Sequence, residues 1–295
     1  MAWISSAATW LVEPLPLVVA AVLYVLGGRR RAARRPMRAV ERWRVVSFWA
    51  GLGTIALALD SPLDRWAETS FTAHMVQHVL LLTVAPPLFV LAAPWSRMWR
   101  PLPLGFRRSF ARALALAPGA RPLRVLARLV MRPLTGLVLF CANLAVWHLP
   151  VLFDLSLRSQ SAHLLEHTLF FTTGLLLWAQ LLDSPPYRSH VRQLHRAALA
   201  IIAMLVGWVI AVVLAFATAP FYAPYAALAH RPLGLSALAD QQLAAGVMWV
   251  PGSLTLTIAI VACFYRALAP EPTAEAVRRG ARVAPAPVTV TIDPC

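Results

Sequence analysis

The feature that most constrains this chain is a succession of apolar stretches, each roughly 17 to 20 residues or longer, separated by short segments rich in arginine. They fall near residues 10–28, 45–61, 70–93, 133–150, 161–182, 197–219 and 241–267. One soluble core does not use that much apolar sequence: 59% of the 295 residues are hydrophobic and only 13% are charged. The expected fold is an all-α integral membrane protein, a seven-transmembrane-helix bundle.

The charge supports this class and orients it. The formal net charge is +15, and all 27 basic residues are arginines. Such a balance raises nucleic-acid binding, but these arginines lie in short runs between apolar stretches, where positive charge marks the cytoplasmic side. With seven spans, 24 arginines fall on one side and Arg65, Arg158 and Arg231 on the other. The N-terminus is therefore expected outside and the C-terminus in the cytoplasm. Met1 to Glu13 has no basic residue ahead of the first apolar stretch, whereas Arg29, Arg30 and Arg31 follow it, so that stretch is expected to be a retained helix and not a cleaved signal. Residues 1–269 form the transmembrane unit. The proline-rich 270–295, poor in large apolar residues, reads as a disordered cytoplasmic tail. Between the third and fourth spans, 94–132 places Phe106, Phe110, Ala113, Leu114 and Ala117 at helical spacing opposite Arg107, Arg108 and Arg112, as an interfacial amphipathic helix does. Pro86, Pro87 and Pro251 lie inside spans and are expected to kink them.

Five of the eight histidines fall at helix ends that this topology places on one side, the outer one. His74 and His78 (HMVQH) open the third span, His148 ends the fourth, and His163 and His167 (HLLEH) open the fifth. Each i, i+4 pair sets two imidazoles on one helix face, about 6 Å apart along the axis, close enough to share an ion. An ionisable group near a membrane span is costly, so a layer of them points to function. Met75, Met248, Asp60, Glu166 and Asp240 lie at the same depth as candidate companions. Imidazole with thioether favours copper, above all Cu(I), while nearby carboxylates can orient the rings; ligand type leaves zinc open. The bland alternatives are interfacial packing for His148 and a helix-dipole charge for Glu166. Cys141, two turns below His148, reads as packing, and His190 and His195 as cytoplasmic surface. No phosphate loop, nucleophile elbow or activated cysteine is present, so no enzyme activity is expected.

Four blocks, HMVQHVLLLTVAPPL (74–88), VWHLP (146–150), HLLEHTLFFTTGLLLW (163–178) and DQQLAAGVMWVPG (240–252), occur in an order that resembles the CtaG family of cytochrome c oxidase assembly factors associated with caa3-type oxidases. The resemblance runs from about Asp60 to Tyr265. It implies a seven-helix protein of the bacterial inner membrane, with oxidase subunits and the lipid bilayer as partners. It further implies a part in copper supply, with the motif histidines at His74, His78, His148, His163 and His167. An unrelated single-span copper chaperone shares the name but has a cysteine pair, which this chain lacks. Three rival readings stand beside it: a b-type haem protein with two axial imidazoles, a proton or solute carrier, and a cofactor-free assembly scaffold. Acidic groups confined to span ends speak against the carrier.

Overall fold

The computed structural model describes residues 15–32, 38–187, 189–231 and 234–269, and there the apolar stretches fold as helices with no strand among them. The all-α expectation holds. Met1 to Glu13, expected to lead into the first span, and the 270–295 tail lie outside the described residues.

The helices follow from local signals. α1 (Leu15–Ala32) and α2 (Ala39–Leu59) precede the short α3 (Pro62–Ala67), which has proline at its first position and the Ser61 hydroxyl accepting from Leu63 N–H. α4 (Phe71–Val79) starts at Ser70, whose hydroxyl accepts from Ala73 N–H. It runs through a π-helical turn, Leu80–Val84, into α5 (Ala85–Ala92). Pro86 and Pro87 donate no amide hydrogen, and the helix accommodates this by widening one turn earlier, so that Ala85 N–H reaches back to Leu80 C=O. The expected kink is thus absorbed into one continuous span. After α6 (Trp95–Met98) come α7 (Leu104–Leu116) and α8 (Arg121–Val130), joined by a 3-10 turn at Pro118–Ala120. The amphipathic region is therefore two helices where the sequence pointed to one. Neither buries a residue. On α8, Arg121, Arg124 and Arg128 line one face and Leu123, Leu126 and Leu129 another, and Arg124 Nη1 closes the end of α7 by donating to Leu114 and Ala117 C=O, both at 3.0 Å.

The remaining elements are α9 (Pro133–Trp147), α10 (Pro150–Arg158), α11 (Gln160–Leu181), α12 (Gln193–Ala215), α13 (Ala223–Ala226) and α14 (Ala237–Leu268). α14 carries Pro251 without interruption over 32 residues.

Three helices are long and apolar enough to cross a membrane alone: Phe71–Ala92, Gln193–Ala215 and Ala237–Leu268. A fourth arises if Pro118–Val130 and Pro133–Trp147, which meet at 79°, are one broken span. That is fewer than seven, for compositional reasons. α9 has 15 residues, α2 opens with Glu41, Arg42 and Arg44, and α11 opens with its two histidines and a glutamate. Only 28% of the apolar window of α12 and 22% of that of α14 is buried, so most of their apolar surface points outward, which lipid accepts and water penalises.

The interior has three parts. A central cluster joins Phe140, Leu144, Phe170, Leu177 and Ala203. A second, at the histidine end, packs Phe71, Met75, Phe153, Tyr222 and Tyr225. The third holds α1 against α2, with Tyr24 stacked on Phe48 at 3.7 Å and the Arg97 guanidinium 4.2 Å from the Tyr24 ring centre. Arg196, counted above as a topological charge, is instead a buried strut: Nη2 lies 2.7 Å from both Asp183 Oδ1 and Ser189 C=O, fixing the start of α12.

α11 crosses the π turn at Gly174. A Cβ there would stand 2.7 Å from Leu82 C=O and 2.8 Å from Pro86 Cγ, one a backbone atom and the other a rigid ring. Gly174→Ala is therefore expected to lower stability by about 1–3 kcal/mol, read as a drop in the thermal midpoint of the detergent-solubilised protein.

Candidate metal centre

The site is built on the start of α4. The Asp240 side chain, 2% exposed at the start of α14, accepts from Phe71 N–H (2.7 Å), Thr72 N–H (3.1 Å), the Thr72 hydroxyl (2.6 Å) and the Ser70 hydroxyl (3.0 Å). A carboxylate at the first free amides of a helix answers both their donors and the helix dipole. This clamp places His74 about one turn and His78 about two turns below it, facing α11. On α11 the Ser159 hydroxyl accepts from Ala162 N–H, and His163, Glu166 and His167 project from the first two turns. His148 caps the end of α9.

The fold brings all five histidines together. Ring centres lie 4.4 Å apart for His74 and His78, 4.1 Å for His163 and His167, 5.3 Å for His74 and His163, 5.5 Å for His78 and His167, and 6.3 Å for His78 and His148. Two sets have donor atoms mutually within 4.8 Å: His74 with His163 and His167, and His74 with His78 and Glu166. His74 belongs to both; His148 belongs to neither. The Nε2 atoms of His74 and His78 are 2.9 Å apart. That separation suits one N–H···N hydrogen bond, and equally two nitrogens each about 2.0 Å from one ion with a near-right angle between them.

Neighbours set the proton positions. Burial, with the Asp240 and Glu166 charges adding to it, pushes the Tyr225 phenol well above its ordinary pKa, so it stays protonated. Its O–H donates to Ala67 C=O, and its oxygen lies 3.0 Å from His74 Nδ1. With its proton engaged, that oxygen accepts, so His74 carries its hydrogen on Nδ1 and turns the Nε2 lone pair inward. His148 Nδ1 lies 2.7 Å from Leu144 C=O, an acceptor only, so its Nε2 is also a free lone pair.

Six buried polar atoms here lack a hydrogen-bond partner: His78 Nδ1, Nε2 of His148, His163 and His167, and both Glu166 oxygens. At about 1–3 kcal/mol each this is on the order of 10 kcal/mol, comparable with the whole stability of a domain. Glu166 is 0% exposed, with oxygens 3.8 Å from His74 Nε2 and 3.5 Å from His78 Nε2. It lies past the first turn of α11 and faces the imidazoles, so a role as a solvated helix-end charge does not describe it. A cation among these atoms fits the donor set.

The other named candidates separate. Asp60 is exposed at the end of α2 and belongs to neither set. Asp240 is fully occupied as the clamp, because four donors already use its oxygens. Met75 is completely buried beside Phe71 and Phe153, and with Met248 it borders a cavity on the far side of His78. His190, His195 and His230 are exposed.

Residues unremarked in the sequence complete the surroundings. Tyr225 sets His74, and Tyr222 O–H donates to His148 C=O at 3.0 Å. Phe153 and Phe170 lie against His74 (5.0 Å) and His78 (4.3 Å). Gln77, between the paired histidines, donates to Ala58 C=O and Asp64 Oδ1, tying α4 to α2 and α3. The FYAPY stretch at 221–225 was the available signal, since two tyrosines in the connection between α12 and α14 are poised to put hydroxyls over the layer.

A family model described as cytochrome c oxidase caa3 assembly factor matches residues 22–269. The chain is 25% identical over 252 residues to an uncharacterized protein of Mycobacterium bovis and to one of Mycobacterium tuberculosis, covering 83% of this chain and 37% of each relative. It is 23% identical over 255 residues to an uncharacterized protein of Mycobacterium leprae, covering 83% and 38%. The chain thus spans little more than a third of the length of these curated relatives. No solved structure matches it.

Asp240→Asn keeps the shape of the clamp but replaces an acceptor with a donor facing backbone amides. It is expected to destabilise the protein by about 1–3 kcal/mol, checked by denaturation in detergent.

Proposed function

The chain belongs to the cytochrome c oxidase caa3 assembly factor family, and from that premise we propose that it binds copper at the histidine layer and helps deliver it to the oxidase. The carrying observation is that His74 is common to both donor sets while Tyr225, engaging its Nδ1, leaves its Nε2 as a lone pair. His74, His163 and His167 offer an all-imidazole set suited to Cu(I), while Glu166 beside His78 adds a negative charge that helps keep a cation in a buried place. Copper is cargo in this reading. Two partly overlapping donor sets with one shared ligand suit an ion that is exchanged, since a ligand can be released without the ion losing all its partners.

The reading extends to topology. Seven spans place the layer outside, with α2, α9 and α11 crossing the membrane as packed members of the bundle and α7 and α8 lying on its cytoplasmic face, in the bacterial inner membrane. The partner is then an oxidase subunit docked at the outer ends of α4 and α11. The assembly-factor family supports a role that is not enzymatic. The packing favours an ion over haem: the cavity next to the rings measures about 50 Å³, a small fraction of the several hundred Å³ of a site for a larger ligand. A cofactor-free scaffold leaves the six unpartnered atoms without a purpose.

Anaerobic Cu(I) titration and absorption spectroscopy of the purified protein test this. The parent is expected to retain copper without a Soret band, and His74→Ala, which removes the ligand common to both sets, to lose on the order of 100-fold in affinity at the histidine layer. Tyr225→Phe keeps every candidate ligand but frees His74 to rotate and change tautomer; its affinity is expected to fall about 10–100-fold. Parent protein that binds no copper yet restores oxidase assembly in a deletion strain sinks the reading in favour of the scaffold.

A further inference from the structure

Below the histidine layer, a partly open cavity of about 50 Å³ lies between α4 with its π turn, α9, α12 and α14. Its volume holds an ion or a few waters. Most of its wall is apolar, and its polar hydrogens are already committed. Thr83 O–H donates to Val79 C=O at 2.8 Å, Trp208 Nε1–H donates to the Ser253 hydroxyl at 2.6 Å, and that hydroxyl donates to Trp249 C=O. The remaining donor atoms are of one kind. His148, 9% exposed, and His78 both line the cavity, and His148 Nε2 and His78 Nδ1 are without hydrogen-bond partners; Met75, Met204 and Met248 line it as well and bring thioethers. The Met204 sulfur has a single weak contact, 3.7 Å from the Thr257 hydroxyl, which itself donates to Ser253 C=O.

We propose that this cavity is a second metal position, taking a soft monovalent cation, Cu(I), on His78 Nδ1, His148 Nε2 and two or three methionine sulfurs. Imidazole with thioether selects Cu(I) over hard cations, and no carboxylate lines the cavity, so one positive charge is tolerated where two are not. The inference rests on the reading of the histidine layer as a copper site and gives that site an onward step. His78 belongs to both compartments. With the ion in the layer, His78 binds it through Nε2 and holds its hydrogen on Nδ1. With the ion in the cavity, Nδ1 binds, and Nε2–H donates to the Nε2 lone pair of His74, the 2.9 Å pair seen here. One proton moves between the two nitrogens of one ring, the ion keeps its oxidation state, and nothing else is consumed. His148 and the methionines, which lie outside both layer sets, become the receiving ligands.

The test is anaerobic Cu(I) titration against a chromophoric chelator, with copper-edge X-ray absorption, on the parent, Met204→Leu/Met248→Leu and His74→Ala. Leucine conserves volume, and size-exclusion and circular dichroism profiles check folding, with single Met204→Leu as the milder variant. With both positions filled, the layer ion sits on His74, His163 and His167, and His78, turned to the cavity through Nδ1, directs Nε2–H to Glu166; the parent is therefore expected to bind two equivalents with sulfur scattering. The double methionine variant is expected to bind one equivalent with a nitrogen and oxygen shell, and His74→Ala one equivalent that keeps the sulfur. A parent that binds one equivalent without sulfur overturns the second position and leaves the histidine layer standing, as does a sulfur shell unchanged by the methionine substitutions. Sulfur-bound copper lost with the methionines but indifferent to His74→Ala supports the cavity and removes the layer. No copper at all overturns both.

Discussion

Everything at the site depends on the grip of the Asp240 carboxylate on the first amides of α4. A helix start left unsatisfied inside a bundle is expensive, and here one buried side chain from the last helix answers two backbone donors and two hydroxyls together. The grip fixes where α4 begins, and so the height at which His74 and His78 meet the histidines of α11. A carboxylate that reads as a metal companion is more useful as the fastener that sets the ligands' height. Its four hydrogen bonds leave it little capacity for an ion.

The lower half of the same helix solves a different problem. Pro86 and Pro87 interrupt the amide ladder where α11 crosses closest, and the chain answers with a wider turn at Leu80–Val84 and a glycine, Gly174, on the opposing helix. The closeness at that crossing holds α11 in register against α4, so two histidine pairs on separate helices converge. Below them the small residues Ala203, Gly207 and Gly252 leave room for the cavity between α9, α12 and α14. Paired helices normally fill such a gap with side chains. Here the gap is bordered by two imidazoles and three thioethers.

Proton placement links packing to chemistry. Imidazole can ligate through either nitrogen, and which one is available depends on what holds the other. Tyr225 and the Leu144 carbonyl hold Nδ1 of His74 and His148, so both rings present Nε2 inward before any ion arrives. Tyr225 comes from the connection between α12 and α14 and Leu144 from the helix His148 itself ends. The site is thus oriented by residues that are not ligands, one of them through its backbone carbonyl.

The sequence by itself determined the helical class, the family, and the confinement of five histidines to one end of the bundle, because apolar length, proline position and i, i+4 spacing are local properties of the chain. It also marked Glu166 as a companion through its place inside HLLEH. It named Asp60 and Asp240 as companions by depth alone, and a carboxylate at the right depth says nothing about which way it turns or what else claims it. It took Arg196 for a topological charge and marked one amphipathic helix over 106–117 without the second at Arg121–Val130, since pairing with Asp183 and the turn at Pro118–Ala120 depend on surroundings. Only the tertiary structure decided that His74 is common to two donor sets, that His148 stands apart with the methionines, and that Tyr225 governs a ring 151 residues away. Those contacts join helices distant in sequence, and their geometry exists only once the packing has fixed the distances between them.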